Sequence, residues 1–205
     1  MQTMFKRILQ SSAIISSAAA LVGCSVNGPL VGGSGNVQYG DAQAVETVTN
    51  EFGSTDLQSI AEAMSRSLLQ SRVIAQAGKP PVVTLAEVKN KTSEYIDTRV
   101  ITEKIRTELL KSGSVRFAVS TTEMQSQVDE LKRQSQSGLY RSNGSAKIGK
   151  MEGAKYRLEG SISSIVKRSS NVKDVYYVFD LNLINNETGL MEWADEKEIR
   201  KTSQR

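Results

Sequence analysis

Histidine is absent from the 205-residue chain, and cysteine occurs once, at Cys24. Each scarcity removes a class of chemistry. Zinc centres are assembled from imidazole nitrogens and thiolates, so one has almost nothing here to build on. Ser-His-Asp and Cys-His catalysis both require an imidazole and are excluded. One cysteine cannot make an intrachain disulfide, so the fold must be held by its core. Excess charge is scarce too. The formal net charge is +4, and Lys6 and Arg7 supply two of the 26 basic residues, leaving 24 bases against 22 acids from position 24 onward. That balance makes no basic footprint, and nucleic acid is not expected as a partner. The leading apolar stretch, Ile8–Val22, has 15 residues. It falls short of the roughly 20 that cross a bilayer.

What the N-terminus does contain is ordered in a recognisable way. A positive start at Lys6-Arg7 is followed by the apolar stretch and then by Leu21-Val22-Gly23-Cys24. This has the layout of a secretory signal. Its last four residues look like the lipobox of bacterial lipoproteins: the small Gly23 admits the backbone to a narrow peptidase cleft, and the Cys24 thiol takes the diacylglyceryl group. Cleavage would leave an acylated Cys24, and several acyl chains anchor a protein essentially permanently, at about 0.8 kcal/mol per buried methylene. Ser25, in place of Asp, resembles the residue that sends enteric lipoproteins to the outer membrane. The expected location is the outer membrane, lipid-anchored and facing the periplasm.

Three regions follow: 1–23 as signal peptide, 24–50 as lipidated cysteine and flexible tether, and 51–205 as the globular domain. Gly28, Gly32, Gly33, Gly35 and Gly40 with Pro29 argue against packed structure in the second region. A Gly-rich coil of about 25 residues spans typically 25–30 Å, and at most about 85 Å.

Beyond Phe52, Leu57, Ile60, Ala61, Met64 and Leu68 recur at helical spacing, predicting a helix of about 20 residues capped by Thr55 or Asp56. Gly78 and Pro80-Pro81 stop it. Val82–Val88 reads as a buried strand, and Lys89–Glu94 as a polar loop. Asp97 or Thr98 caps a second helix with Ile101, Ile105 and Leu109 inward, ending at Lys111 and Gly113. Val115–Val119 reads as a strand. Ser120-Thr121-Thr122-Glu123 is a capping box before a third helix with the stripe Met124, Val128 and Leu131. The polar stretch 135–145 reads as a loop and 146–151 as a short fourth helix. Alternation at Tyr156, Leu158, Gly160 and Ile162, then at Tyr177, Phe179, Leu181 and Leu183, predicts strands. A turn at 185–189 leads into a last strand over 190–199. The expected class is α/β (α+β), a mixed sheet of about five strands flanked by helices.

Several motifs invite a chemical reading. Ser164-x-x-Lys167 and Ser170-x-x-Lys173 match the nucleophile motif of penicillin-binding proteins. That chemistry needs the Lys one helical turn after the Ser. Here Ser164 and Lys167 fall in a strand pattern, which sends positions three apart to opposite faces. Glu192, Asp195, Glu196 and Glu198 could supply a carboxylate pair for glycan cleavage, but interleaving with Lys197, Arg200 and Lys201 reads as a solvated cross-strand charge pattern. No catalytic residue, metal ligand or cofactor is expected. Two surfaces suit recognition instead. One is the hairpin carrying Arg168, Asn171 and Lys173 with Tyr176 and Trp193, because Tyr, Trp and Arg are favoured at interface centres. The other is the loop of Asn90, Thr92 and Ser93.

The runs Val88-Lys-Asn-Lys-Thr-Ser93, Ile101-Thr-Glu-Lys-Ile-Arg106, Gly153–Ser164 and Thr188-Gly-Leu-Met-Glu-Trp193, in this order over about 52–202, resemble the LpoB family of penicillin-binding-protein activators. The resemblance implies a non-enzymatic outer-membrane lipoprotein whose globular activator domain, similar to the TolB N-terminal domain, binds the ectodomain of a class A penicillin-binding protein. Such binding stimulates peptidoglycan synthesis. The short Gly-rich tether departs from the longer Pro-rich one of better-known members. An envelope scaffold or secretion-complex lipoprotein of the same fold is the alternative, and a cell-wall hydrolase a third.

Overall fold

The structure is a computed structural model that describes residues 40–141 and 143–204. Cys24 and most of the expected tether lie outside the described residues. From Asp41 onward the chain forms one unit, and its organising feature is a long antiparallel meander. Strands β4 (Tyr156–Arg168), β5 (Val172–Asn185) and β6 (Met191–Gln204) pair in register along almost their whole length. Strict alternation makes β5 its centre: Val175, Tyr177, Phe179, Leu181 and Leu183 are buried, while the residues between them face the other side. At Gly160 in β4 the Asp180 carbonyl oxygen comes so close that an added Cβ would sit 2.1 Å from it, so only glycine fits. The turn into β6 needs Gly189, at φ +71°, while the Asn185 carboxamide oxygen accepts the Glu187 and Thr188 amides.

Parallel strands complete the sheet on the β4 side. Strand β1 (Val82–Leu85) lies between β4 and β3 (Arg116–Phe117), giving the order β3-β1-β4-β5-β6. Helix α3 (Thr98–Lys111) links β1 to β3 as a β-α-β unit. Lys89–Asn90 forms a two-residue strand, β2, paired with Ser161–Ile162 of β4. Part of the expected polar loop is therefore sheet, because the β4 edge offers backbone partners that the side-chain pattern does not advertise. The sheet has six strands rather than about five, and the expected strands 82–88 and 115–119 shrink to four and two residues.

Helices α1 (Ser54–Gln70) and α3 pack on each other and on the inner sheet face. Ile60, Ala61, Met64 and Leu68 meet Ile101, Ile105 and Leu109 there in one core. Asp97 caps α3 through the Arg99 amide. Neither expected residue is the N-cap of α1. Gly53 holds that position, Asp56 accepts the Gly53 amide from N3, and the Glu46 carboxylate accepts the Ser54 amide at 2.8 Å. Ser71, with extended dihedrals, breaks the expected long helix and starts α2 (Arg72–Ala75).

Helix α4 (Thr121–Gln136) begins at the expected capping box of Ser120 and Glu123. Yet none of its described side chains is buried, and Met124 is exposed. The expected helix over 146–151 does not form; that stretch is turn and coil, tied back to α4 by the Ala146 amide donating to Gln134. A six-residue helix with no packing face cannot offset its nucleation cost.

Candidate functional site

Three segments gather at the end of the sheet toward which β4 runs: the β2–α3 connection, the β4–β5 hairpin, and the lead-in to α1. Contacts of the lead-in with α1 already begin at Ala42, whose carbonyl accepts from Gln58 Nε2 at 2.6 Å, and continue at Glu46, whose amide donates to Thr55 Oγ1. Asn50, almost fully buried, donates from Nδ2 to the Lys173 carbonyl at 3.1 Å. The Phe52 amide donates to Glu94 at 3.1 Å, and the Tyr177 hydroxyl lies 2.7 Å from both carboxylate oxygens of Glu94. The Phe52 ring meets Tyr177 edge-on at 5.9 Å. Burial, reinforced by the Glu94 carboxylate, pushes the Tyr177 phenol pKa far up, so it stays a donor. Lys201 closes the clamp from β6, donating to the Glu51 carbonyl at 2.6 Å and to Asp56 at 2.9 Å.

Within the β2–α3 connection, polar side chains fold the loop upon itself. Asn90 Oδ1 accepts from the amide and hydroxyl of Thr92, and Asn90 Nδ2 donates to the Glu94 carbonyl at 2.9 Å. Asn90 and Thr92 therefore shape the loop rather than merely project from it, while Ser93 is exposed. The residue they present is Tyr95, 95% exposed. It borders an open cleft of about 630 Å³ that also takes in Lys89, Asn90, Asp97 and Arg99. Sequence reasoning passed over Tyr95, although an aromatic inside the polar run Lys89–Asp97 is a usable signal.

The hairpin residues are only partly brought together. Arg168 and Asn171 are exposed at its tip, with Lys173 beside them and paired at 3.9 Å to Glu51. Asp174 next to them takes both Arg200 and Thr202, which lowers its pKa. Tyr176 lies on the outer sheet face opposite Ile165 and Arg200, where the Glu198 carboxylate raises its phenol pKa. Trp193 lies elsewhere. It pairs with Leu183 at the far end of the meander and packs, half-buried, against the core. Tyr176 and Trp193 therefore do not share one aromatic surface. Ser164 and Lys167 fall opposite Tyr177 and Asp174 in β4, on opposite sheet faces, so amine and hydroxyl point apart. Ser170 lies in the hairpin turn and Lys173 in β5, with no helix between them.

The fold is thus an α+β domain with helices on one sheet face, and its surface features at this end are exposed loops held by buried polar contacts. The chain belongs to the LpoB family of peptidoglycan-synthase activators, whose family model matches residues 56–199. Among solved structures it is similar to the LpoB C-terminal domain from Salmonella enterica, at 18% identity over 71% of this chain and 99% of that one, with a TM-score of 0.42. It is similar to the NMR structure of Escherichia coli LpoB at 14% identity over 98% and 96% of the chains, with a TM-score of 0.38. Lipoprotein GNA1162 from Neisseria meningitidis matches at 12% identity over 60% and 85%, with a TM-score of 0.39. No curated protein matches the chain. Among the described residues, no helix is long and apolar enough to cross a membrane.

Proposed function

We propose that this chain is a non-enzymatic lipoprotein, anchored through Cys24 to the outer membrane and facing the periplasm, that binds and activates a class A penicillin-binding protein. Membership of the activator family across residues 56–199 carries the reading. The contact surface runs from the Asn90–Arg99 region, with Tyr95 foremost, to the hairpin tip at Arg168 and Asn171. About six residues of β4 separate Ile162, the partner of Asn90, from Arg168, or roughly 20 Å. A patch of standard size can cover both. Activation requires that the domain bind the active synthase conformation more tightly than the inactive one. The purified full chain raises the glycan-polymerisation rate of the cognate synthase, and Tyr95→Ser lowers the affinity about tenfold while leaving the fold intact. Absence of both rate change and binding with every class A synthase of the organism would overturn the reading.

A further inference from the structure

At the opposite end of the sheet, where β1, β3 and β4 begin, an open cleft of about 500 Å³ lies between the α2–β1 connection and the strand starts. Its lining carries four cations, Arg72, Lys79, Arg116 and Lys155, and no carboxylate. In a chain of nearly balanced charge, such sorting is local and one-sided. Arg116 is held by Glu152 at 2.8 Å and by the Pro80 carbonyl at 3.1 Å. Among the described residues, no carboxylate pairs with Arg72, Lys79 or Lys155.

A second observation points to a ligand. Tyr156 lines the same cleft with most of its side chain buried, 7% exposed, and its hydroxyl makes no hydrogen bond among the described residues and opens to the cleft. A phenol held on a buried ring with its hydroxyl unused inside the fold is free to donate to a ligand in the cleft. The Lys155 ammonium lies over the Tyr156 ring, 5.2 Å from its centroid, so both belong to one side of the cleft. The cleft therefore offers three uncompensated cations and a phenolic donor. A monocarboxylate would leave most of that charge unmet. A phosphate dianion or pyrophosphate, with several acceptor oxygens, would meet it, and Arg72 could hold two oxygens at once.

We propose that this cleft binds a phosphate-bearing anion, with Arg72, Lys79 and Lys155 supplying charge and the Tyr156 hydroxyl a hydrogen bond. The phosphate can come from a lipid headgroup or from a soluble molecule. Calorimetric titration of the full chain with inorganic pyrophosphate tests the site, and vesicles of phosphatidylcholine with or without phosphatidylglycerol separate the sources.

Saturable pyrophosphate binding that weakens with salt is expected. The double variant Lys79→Gln/Lys155→Gln should bind at least about tenfold more weakly. Tyr156→Phe should weaken binding several-fold with an unchanged melting temperature, since its hydroxyl supports nothing inside the fold. Lys147→Gln/Lys150→Gln, outside the cleft, should bind like the parent chain. Phosphatidylglycerol-dependent vesicle retention displaced by pyrophosphate assigns a lipid source, and pyrophosphate binding without such retention a soluble one. If neither probe binds, or if the cleft variants and Tyr156→Phe bind like the parent, the proposal is overturned.

Discussion

The meander β4–β6 and the helix α4 carry equally clear amphipathic patterns and have opposite fates. In the meander, every second residue of β5 from Val175 to Leu183 is buried against α1 and α3. In α4, the stripe Met124, Val128 and Leu131 has the right spacing, but no described side chain of the helix is buried and its contacts with other elements are sparse. A strand pattern is satisfied by neighbours that the sheet itself supplies. A helix must find a separate face, and α1 and α3 already occupy the inner one. α4 is stabilised instead by local means: its capping box, the Glu130–Arg133 pair, and Arg133 over the Tyr140 ring at 5.1 Å. Periodicity reveals which side of a helix is apolar; it does not show that anything covers it.

Truncation on both sides separates the two patterns most strongly. Phe179→Ala should destabilise the protein by about 3–5 kcal/mol through a core cavity. Met124→Ala and Leu131→Ala should stay within about 0.5 kcal/mol of the parent. Equal losses in urea unfolding would show that α4 is part of the core after all.

Next in size is Gly160→Ala. The new Cβ would meet the Asp180 carbonyl and force the β4 and β5 backbones apart, which we expect to cost roughly 2 kcal/mol in the same assay. Tyr177→Phe follows. It removes the hydroxyl that satisfies Glu94, at about 1–2 kcal/mol, and should speed hydrogen exchange at the Phe52 amide in the clamp while leaving α4 amides unchanged.

The smallest effect belongs to acid. Hydrogen bonds from Arg133 and Gln134 lower the Glu130 pKa from 4.5 to about 2. A lowered carboxylate stabilises above its ordinary pKa, and that contribution disappears as pH falls toward the folded value. Helicity of α4 should therefore decline between about pH 4.5 and 2. Because the pair is exposed, the change should be slight, and Glu130→Gln should abolish it; circular dichroism across this range reads both. Retained pH dependence in that variant would assign the effect to other carboxylates, such as Asp174 or Glu123.

The loops show the same division between what is local and what is not. Asn90 and Thr92 could be picked out as a polar loop, and their side chains do shape it. That the loop ends in a carboxylate gripping Tyr177 of β5 and the lead-in at Phe52 involves partners 83 and 42 residues away. Trp193 and Tyr176 looked like one patch because aromatics near a hairpin suggest a surface. Tyr176 pairs with Arg200, seven positions along β6 from Trp193, and the pleat puts the two aromatics on different faces. Likewise, nothing in the spacing of Arg72, Lys79, Arg116 and Lys155 announces a common cleft.

By itself the sequence determined the elements whose cause is local: the caps at Asp97 and Ser120, the alternation of β4 and β5, the turn closed by Gly189, and the absence of any imidazole or second thiol. It also carried the order of motifs that places the chain in its family. Only the tertiary structure decided that Lys89–Asn90 joins the sheet, that Glu46 and Gly53 open α1, that α4 stays uncovered, and which charges share a surface. Backbone pairing and long-range packing depend on what the rest of the chain brings alongside, and no window of neighbouring residues contains that information.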